Sequence, residues 1–272
     1  MARDRHDALV ARDWSALMKK IRAQTPARLL SGRVGAAYRT ATQLELRDAH
    51  ASARDAVRCE LNLERNLGTV FLEEWDLFEV STQAANKDEY LLRPDRGRHF
   101  SNESRATILK RCPSGKDVQV VIGDGLSIAA ISAQVPGLVP LLCEGIKERG
   151  WTFGRVFAIH YCRVGILNEI GELLRPKVVI LLIGERPGLA TAESLSAYLA
   201  YEPRESHSDA NRNLISNIHA RGVPVPQASA RILHLVDQMM NRQTSGYHLR
   251  EELPSGTDAL LHDNPSGAGT VS

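Results

Sequence analysis

Aromatic residues make up only 5% of this 272-residue chain, and its four cysteines, Cys59, Cys112, Cys143 and Cys162, include no Cys-x-x-Cys pair. The spacing argues against zinc; with no secretory signal ahead of them, all four read as isolated, reduced, buried thiols in a cytoplasm. No apolar run approaches the ~18 residues of a membrane span, so a membrane is not an expected partner. Neither sign of charge prevails: 34 Lys and Arg are interleaved with 32 Asp and Glu, for a net charge of +2, and with no basic stripe no nucleic-acid partner is expected. A Gly-x-x-x-x-Gly-Lys-Ser/Thr phosphate loop is missing too, as is any His/Glu pairing on one helix that would ligate a metal.

What is present suits a globular protein of 30.0 kDa, 43% hydrophobic and 24% charged, large enough for one main domain and a smaller one. Leu9, Val10, Trp14, Leu17, Met18 and Ile21 recur at helical spacing, so residues 1–25 read as an amphipathic N-terminal extension. Residues 26–97 read as a small, mainly helical domain, with Thr42 and Glu45 as a capping box and KDEYLLRPDRGRHFS (87–101) as the linker out of it. From 98 to 250 short apolar runs alternate with helical segments. VQVVI (118–122), RVFAIHYC (155–162) and VVILLIG (178–184) read as strands, and helical faces carry Leu138 to Ile146, Ile166 to Leu174 and Ile232 to Met239. The expected fold is therefore α/β and Rossmann-like, a largely parallel sheet with helices on both faces. The Ser/Gly/Pro-rich stretch 251–272 reads as a disordered tail.

In such sheets ligands bind beyond the carboxyl ends of the strands, and three loops there carry unusual polarity: GDGLS (123–127), YCRVG (161–165) and GERPG (184–188). The first resembles the GDSL motif of SGNH hydrolases, but with Gly125 in the place of the nucleophilic serine; Ser127 comes two residues late, and His234 and Asp237 stand in the wrong order for the rest of a triad. GDGLSI also stops short of the third glycine of a dinucleotide fingerprint. The string DAHASA lacks the glycine of the Asp-x-His-x-x-Gly loop that offers a histidine to cobalt, which leaves His50 as a surface or interface residue. In GERPG, Glu185 needs a donor. By spacing alone a salt bridge to Arg163 and a ligand contact are equally good readings.

The ordered strings SGRVGAAYRT (31–40), HASARDAV (50–57), DEYLLRPDRGR (88–98), DVQVVIGDGLS (117–127), GRVFAIHYCRVGILNEIGELL (154–174), VVILLIGERPGLATAESLSAYLAY (178–201) and LISNIHARGVPVP (214–226) resemble the small subunit of ethanolamine ammonia-lyase. The resemblance implies one subunit of an adenosylcobalamin-dependent carbon–nitrogen lyase that converts ethanolamine to acetaldehyde and ammonia by a radical mechanism. The large-subunit partner would hold ethanolamine and the catalytic residues, and this chain, inactive alone, would help enclose the cobalamin. It implies coenzyme contacts at Val164, Glu185 and Leu214, the last standing where the family commonly has cysteine. It implies a cytoplasmic location or the interior of a bacterial microcompartment. The competing readings are a non-catalytic scaffold or targeting partner that works through its N-terminal helix, and a vestigial SGNH-type hydrolase.

Overall fold

A ten-residue connection cannot carry a helical crossover, and this decides how the sheet ends. The structure, a computed structural model, describes residues 16–21, 23, 33–188 and 191–252. In chain order it holds a hairpin, β1 (Arg33–Val34) and β2 (Ala37–Tyr38), then α1 (Thr40–Arg58), α2 (Leu63–Leu67), α3 (Thr69–Glu74), β3 (Phe78–Ser81), α4 (Lys87–Leu92) and α5 (Asn102–Arg111). There follow β4 (Val118–Gly123), α6 (Ile128–Glu148), β5 (Phe157–His160), α7 (Ile166–Leu174), β6 (Val178–Gly184), β7 (Leu195–Tyr201), β8 (Asn213–Ile218) and α8 (Val225–Arg242).

The main sheet has the order β3-β5-β4-β6-β7-β8. Its first four strands are parallel, as expected where helices intervene. After β6 only residues 185–194 separate the strands, so β7 returns antiparallel with Gly184 opposite Leu195, and β8 pairs antiparallel with β7. The sheet is thus mixed α/β rather than largely parallel throughout, and β3, β7 and β8 join the three strands that the apolar runs predicted.

Side chains alternate between two cores. Val118, Val120, Ile122, Ile180 and Leu182 face α6 and α8; Val121, Val179, Leu181 and Ile183 face α7 and α5. Helix α6 is long and apolar enough to span a membrane by length and composition, although Pro136, Pro140, Lys147 and Glu148 interrupt its sequence as an apolar run. Here Ile131, Val135, Leu138, Leu142 and Ile146 are fully buried against the sheet, each burial contributing about 1.5–3 kcal/mol.

Several local expectations change. Helix α1 begins at Thr40 behind Arg39, which makes no side-chain cap, so Thr42 lies inside the first turn and not at the cap. His50 is exposed on that helix. The stretch expected to be a linker instead forms α4, capped by Asn86, with Lys87 and Tyr90 buried. Phe78–Ser81, inside the stretch expected to be a separate helical domain, is an edge strand of the main sheet. Cys112, Cys143 and Cys162 are buried, whereas Cys59 is exposed at the end of α1. Of the N-terminal helix, residues 16–21 and 23 are helical; its remainder and the tail beyond 252 lie outside the described residues.

The amino ends of β4 and β6 are tied by Asp117. Its Oδ2 accepts from the Thr152 amide at 2.8 Å and the Thr152 hydroxyl at 2.7 Å, and its Oδ1 meets Lys177 Nζ at 2.8 Å. Partial burial alone would raise its pKa; Lys177 and Thr152 outweigh that and hold the carboxyl at about 2, below the ordinary 3.8. A depressed carboxyl contributes stability that is complete above its unfolded pKa and is lost as pH falls through its folded one. Asp117→Asn is therefore expected to lower the urea midpoint at neutral pH and to converge with the parent as pH falls from about 4 to about 2; a deficit that persists unchanged to pH 2 would contradict this.

Candidate functional site

The loops beyond β4 and β6 touch backbone to backbone. Leu126 N–H donates to the Gly184 carbonyl at 3.0 Å. Gly125 has φ +58°, and a Cβ there would lie 2.3 Å from Gly184 O; a Cβ on Gly184 would lie 2.0 Å from Ser127 O. Neither position admits a side chain. The motif's nucleophilic serine is thus sterically excluded at 125, while Ser127 is fully buried and its hydroxyl donates to the Ala192 carbonyl. Asp237 is engaged by Arg149 at 2.9 Å. These contacts leave no nucleophile at this loop for ester hydrolysis.

Asp124, between the two glycines, has no exposed surface. Its Oδ2 accepts from Tyr161 N–H and its Oδ1 from Cys162 N–H, both at 2.8 Å, which fixes the loop after β5 in a turn where Tyr161 takes φ +58°. From α4, Lys87 Nζ donates to Gly125 O at 3.1 Å and stands 4.0 Å from Asp124 Oδ2. Burial pushes the Asp124 carboxyl up, against the pull of the Lys87 ammonium, and pushes Lys87 down. Tyr90 donates its hydroxyl to Cys162 O at 3.1 Å, and burial raises that phenol's pKa. Arg163 stacks on Tyr90 at 4.1 Å and donates to the Tyr90 carbonyl at 2.9 Å.

These loops and the open face of β7 and β8 enclose a cleft of about 430 Å³. Val164, Glu185 and Leu214 all line it, with Tyr90, Ser196 and Tyr198. Val164 is half-buried and Leu214, opposite Tyr198 in the ladder, is 46% exposed. Glu185 forms no ion pair among the described residues, so the salt bridge to Arg163 that spacing allowed is not made. Its carboxylate instead accepts from the Ser194 hydroxyl at 3.2 Å, the Ser196 hydroxyl and the Asn217 amide at 3.3 Å. Burial, then the nearby Glu185 carboxylate, raises the Tyr198 pKa, which keeps that phenol a donor. The cleft thus offers an apolar surface, one carboxylate acceptor and the phenol of Tyr198 as a donor.

Sequence reasoning passed over Asp124, Lys87, Tyr90, Ser194, Ser196, Tyr198 and Asn217. The alternation in LSAYLAY and the aspartate set between two glycines were the available signals. A second cleft of about 440 Å³ lies across Gly165, where Arg98, Arg105 and Arg212 face Glu169, Glu172 and Asp209. Much of that charge is internally paired, as in Arg105–Glu169 and Arg212–Asp209.

The family model for "Ethanolamine ammonia-lyase light chain (EutC)" matches residues 15–250. The chain belongs to the ethanolamine ammonia-lyase light-chain family. An ethanolamine ammonia-lyase small subunit of Clostridium perfringens is 42% identical over 231 residues, 85% of this chain and 76% of its own length. That of Clostridioides difficile is 42% identical over 230 residues, with the same coverage of both chains. That of Clostridium acetobutylicum is 40% identical over 233 residues, 86% of this chain and 94% of the relative. Membership in the light-chain family makes this chain a lyase subunit, and the name implies a large-subunit partner.

In this family member the glycine contact gives a direct test. Gly125→Ser, which rebuilds the hydrolase motif, is expected to destabilise the fold by about 1–3 kcal/mol and to gain no activity on p-nitrophenyl acetate. Native-like stability with ester cleavage would overturn the steric argument.

Proposed function

We propose that this chain is the small subunit of an adenosylcobalamin-dependent ethanolamine ammonia-lyase and that its cleft covers one side of the cobalamin at the interface with the large subunit. The observation that carries the reading is that Val164, Glu185 and Leu214, from three loops and strands far apart in sequence, line a single cleft.

The residues present suit such a coenzyme. Val164, Ile183 and Leu214 offer apolar surface to a corrin ring, and Glu185 offers an acceptor to its polar periphery. Leucine at 214 contributes packing in place of the family's thiol. Among the described residues no group of three or more His, Cys, Asp or Glu is placed to hold a metal, so this chain grips its ligand by packing and hydrogen bonds. When bound, adenosylcobalamin supplies the radical chemistry that turns ethanolamine into acetaldehyde and ammonia. This chain's part is to orient that group and exclude water from one side of it, while ethanolamine and the catalytic residues belong to the large subunit. The chain is inactive alone on this reading and works in the cytoplasm or a bacterial microcompartment. The targeting alternative rests on residues 1–25, most of which lie outside the described residues.

Leu214→Asp tests the reading without disturbing the core, because the side chain is nearly half exposed. In the complex copurified with its large subunit, the substitution is expected to weaken cyanocobalamin binding at least about tenfold, read by visible absorption titration, because it buries an unpaired charge against an apolar ligand. Gel filtration checks that the complex stays assembled. An intact variant complex with unchanged affinity would remove Leu214 from the site, and an unsubstituted complex that binds no cobalamin at all would sink the reading.

A further inference from the structure

Internal pairing in the cleft across Gly165 leaves a specific remainder. Arg105 and His99 both meet Glu169, whose carboxylate also accepts from the Phe100 N–H at 2.8 Å, and Arg212 meets Asp209. Arg98 lines the same cleft and makes no ion pair or side-chain hydrogen bond among the described residues. It lies across the amino end of α7, where a Cβ on Gly165 would come within 2.8 Å of Arg98 Cγ. Among the described residues five buried side-chain atoms lack a hydrogen-bond partner, and two of them, Arg212 Nε and His207 Nδ1, belong to residues of this cleft.

These groups are firmly seated. The Asn168 amide on α7 donates to the His207 carbonyl at 2.7 Å and accepts from Arg212 Nη2 at 3.0 Å, which ties the loop before β8 to the helix. The Arg212 side chain is 5% exposed; burial pushes its pKa down against the pull of Asp209, and Arg98 adds a like charge. A buried donor without an acceptor costs about 1–3 kcal/mol, whereas the Asp209 carboxylate is exposed and screened by water. The inner end of the cleft therefore carries an excess of donors, beside the positive end of the α7 dipole.

The outer end has the opposite sign. Glu172 stands one turn along α7 from Asn168, a rise of about 6 Å, and accepts from the Glu205 N–H at 3.1 Å, so two exposed carboxylates lie together there. Neither forms an ion pair among the described residues. We infer that this cleft is a binding site for a small phosphate monoester that also carries an ammonium, with the phosphate on Arg98, Arg212 and His207 and the ammonium at Glu172 and Glu205. Arg98 and Arg212 approach from different segments, which suits the several oxygens of a tetrahedral phosphate better than the single plane of a carboxylate. The site is separate from the coenzyme cleft: no residue lines both, and the adjacent residues Val164 and Gly165 face one each.

The test uses the complex with the large subunit at physiological salt in phosphate-free buffer, titrated calorimetrically with O-phosphoethanolamine and with inorganic phosphate. O-phosphoethanolamine is expected to bind roughly three- to fivefold more tightly than inorganic phosphate. Arg98→Ala, which breaks no ion pair, is expected to weaken both about tenfold and to leave cyanocobalamin binding unchanged. Glu172→Gln is expected to abolish the preference for O-phosphoethanolamine while inorganic phosphate binds as before, with gel filtration confirming assembly of each variant. The proposal is overturned if the unsubstituted complex binds neither probe at millimolar concentration, if Arg98→Ala binds both like the parent, or if Glu172→Gln keeps the preference. Displacement of O-phosphoethanolamine by cyanocobalamin would also overturn it, since the cleft would then be a seat for the coenzyme's own phosphodiester.

Discussion

A carboxylate shut away from water needs a partner for each oxygen, and in Asp124 that need organises the carboxyl edge of the sheet. The two amides it accepts belong to Tyr161 and Cys162, so the loop after β5 is fixed relative to the loop after β4. Lys87 supplies the opposite charge from α4 and also donates to Gly125. A buried ion pair of this kind adds little net stability compared with apolar packing, but losing one partner strands the other and is severe. Its effect is positional. With Asp124 in place, Val164 and Arg163 follow Cys162 into the cleft, and Tyr90 donates to Cys162 beneath them.

The legible part of this fold was the part governed by burial on both faces. Val118–Gly123 and Val178–Gly184 contain no alternation because both sides meet helices, and such runs stand out in a sequence. LSAYLAY and NLISNI are different: each has one packed side and one side open to the cleft, and their apolar content is shared with small and polar residues. The helix Lys87–Leu92 was hidden for a related reason. Its buried residues are a lysine and a tyrosine, held by hydrogen bonds and an ion pair, and hydrophobic periodicity does not register them.

The site divides in the same way. The three glycine-bearing loops were visible as polar interruptions after apolar strands, and they converge as strand order requires. Val164, Glu185 and Leu214 were named through the family resemblance; spacing alone left Glu185 balanced between an ion pair and a ligand. What takes the place of the ion pair, two serine hydroxyls and a backbone amide, lies 9, 11 and 32 positions further along the chain. No periodic pattern carries such contacts. They exist because β7 returns beside β6, which brings the beginning of one strand to the end of the other.

That return also sets the order in which the site is expected to assemble. Two of the three donors to Glu185 belong to the same hairpin, and a closing loop of this size forms on the timescale of local chain motion, microseconds or less. The link from Lys87 to Asp124 and those from Asp124 to Tyr161 and Cys162 span some 37 or 38 positions and carry a larger loop-closure entropy. The serine contacts of the acceptor half are thus short-range, while its Asn217 contact and the half bearing Val164 await docking of more distant segments. Contact order therefore places Glu185 and its two serine donors among the most local contacts of the cleft.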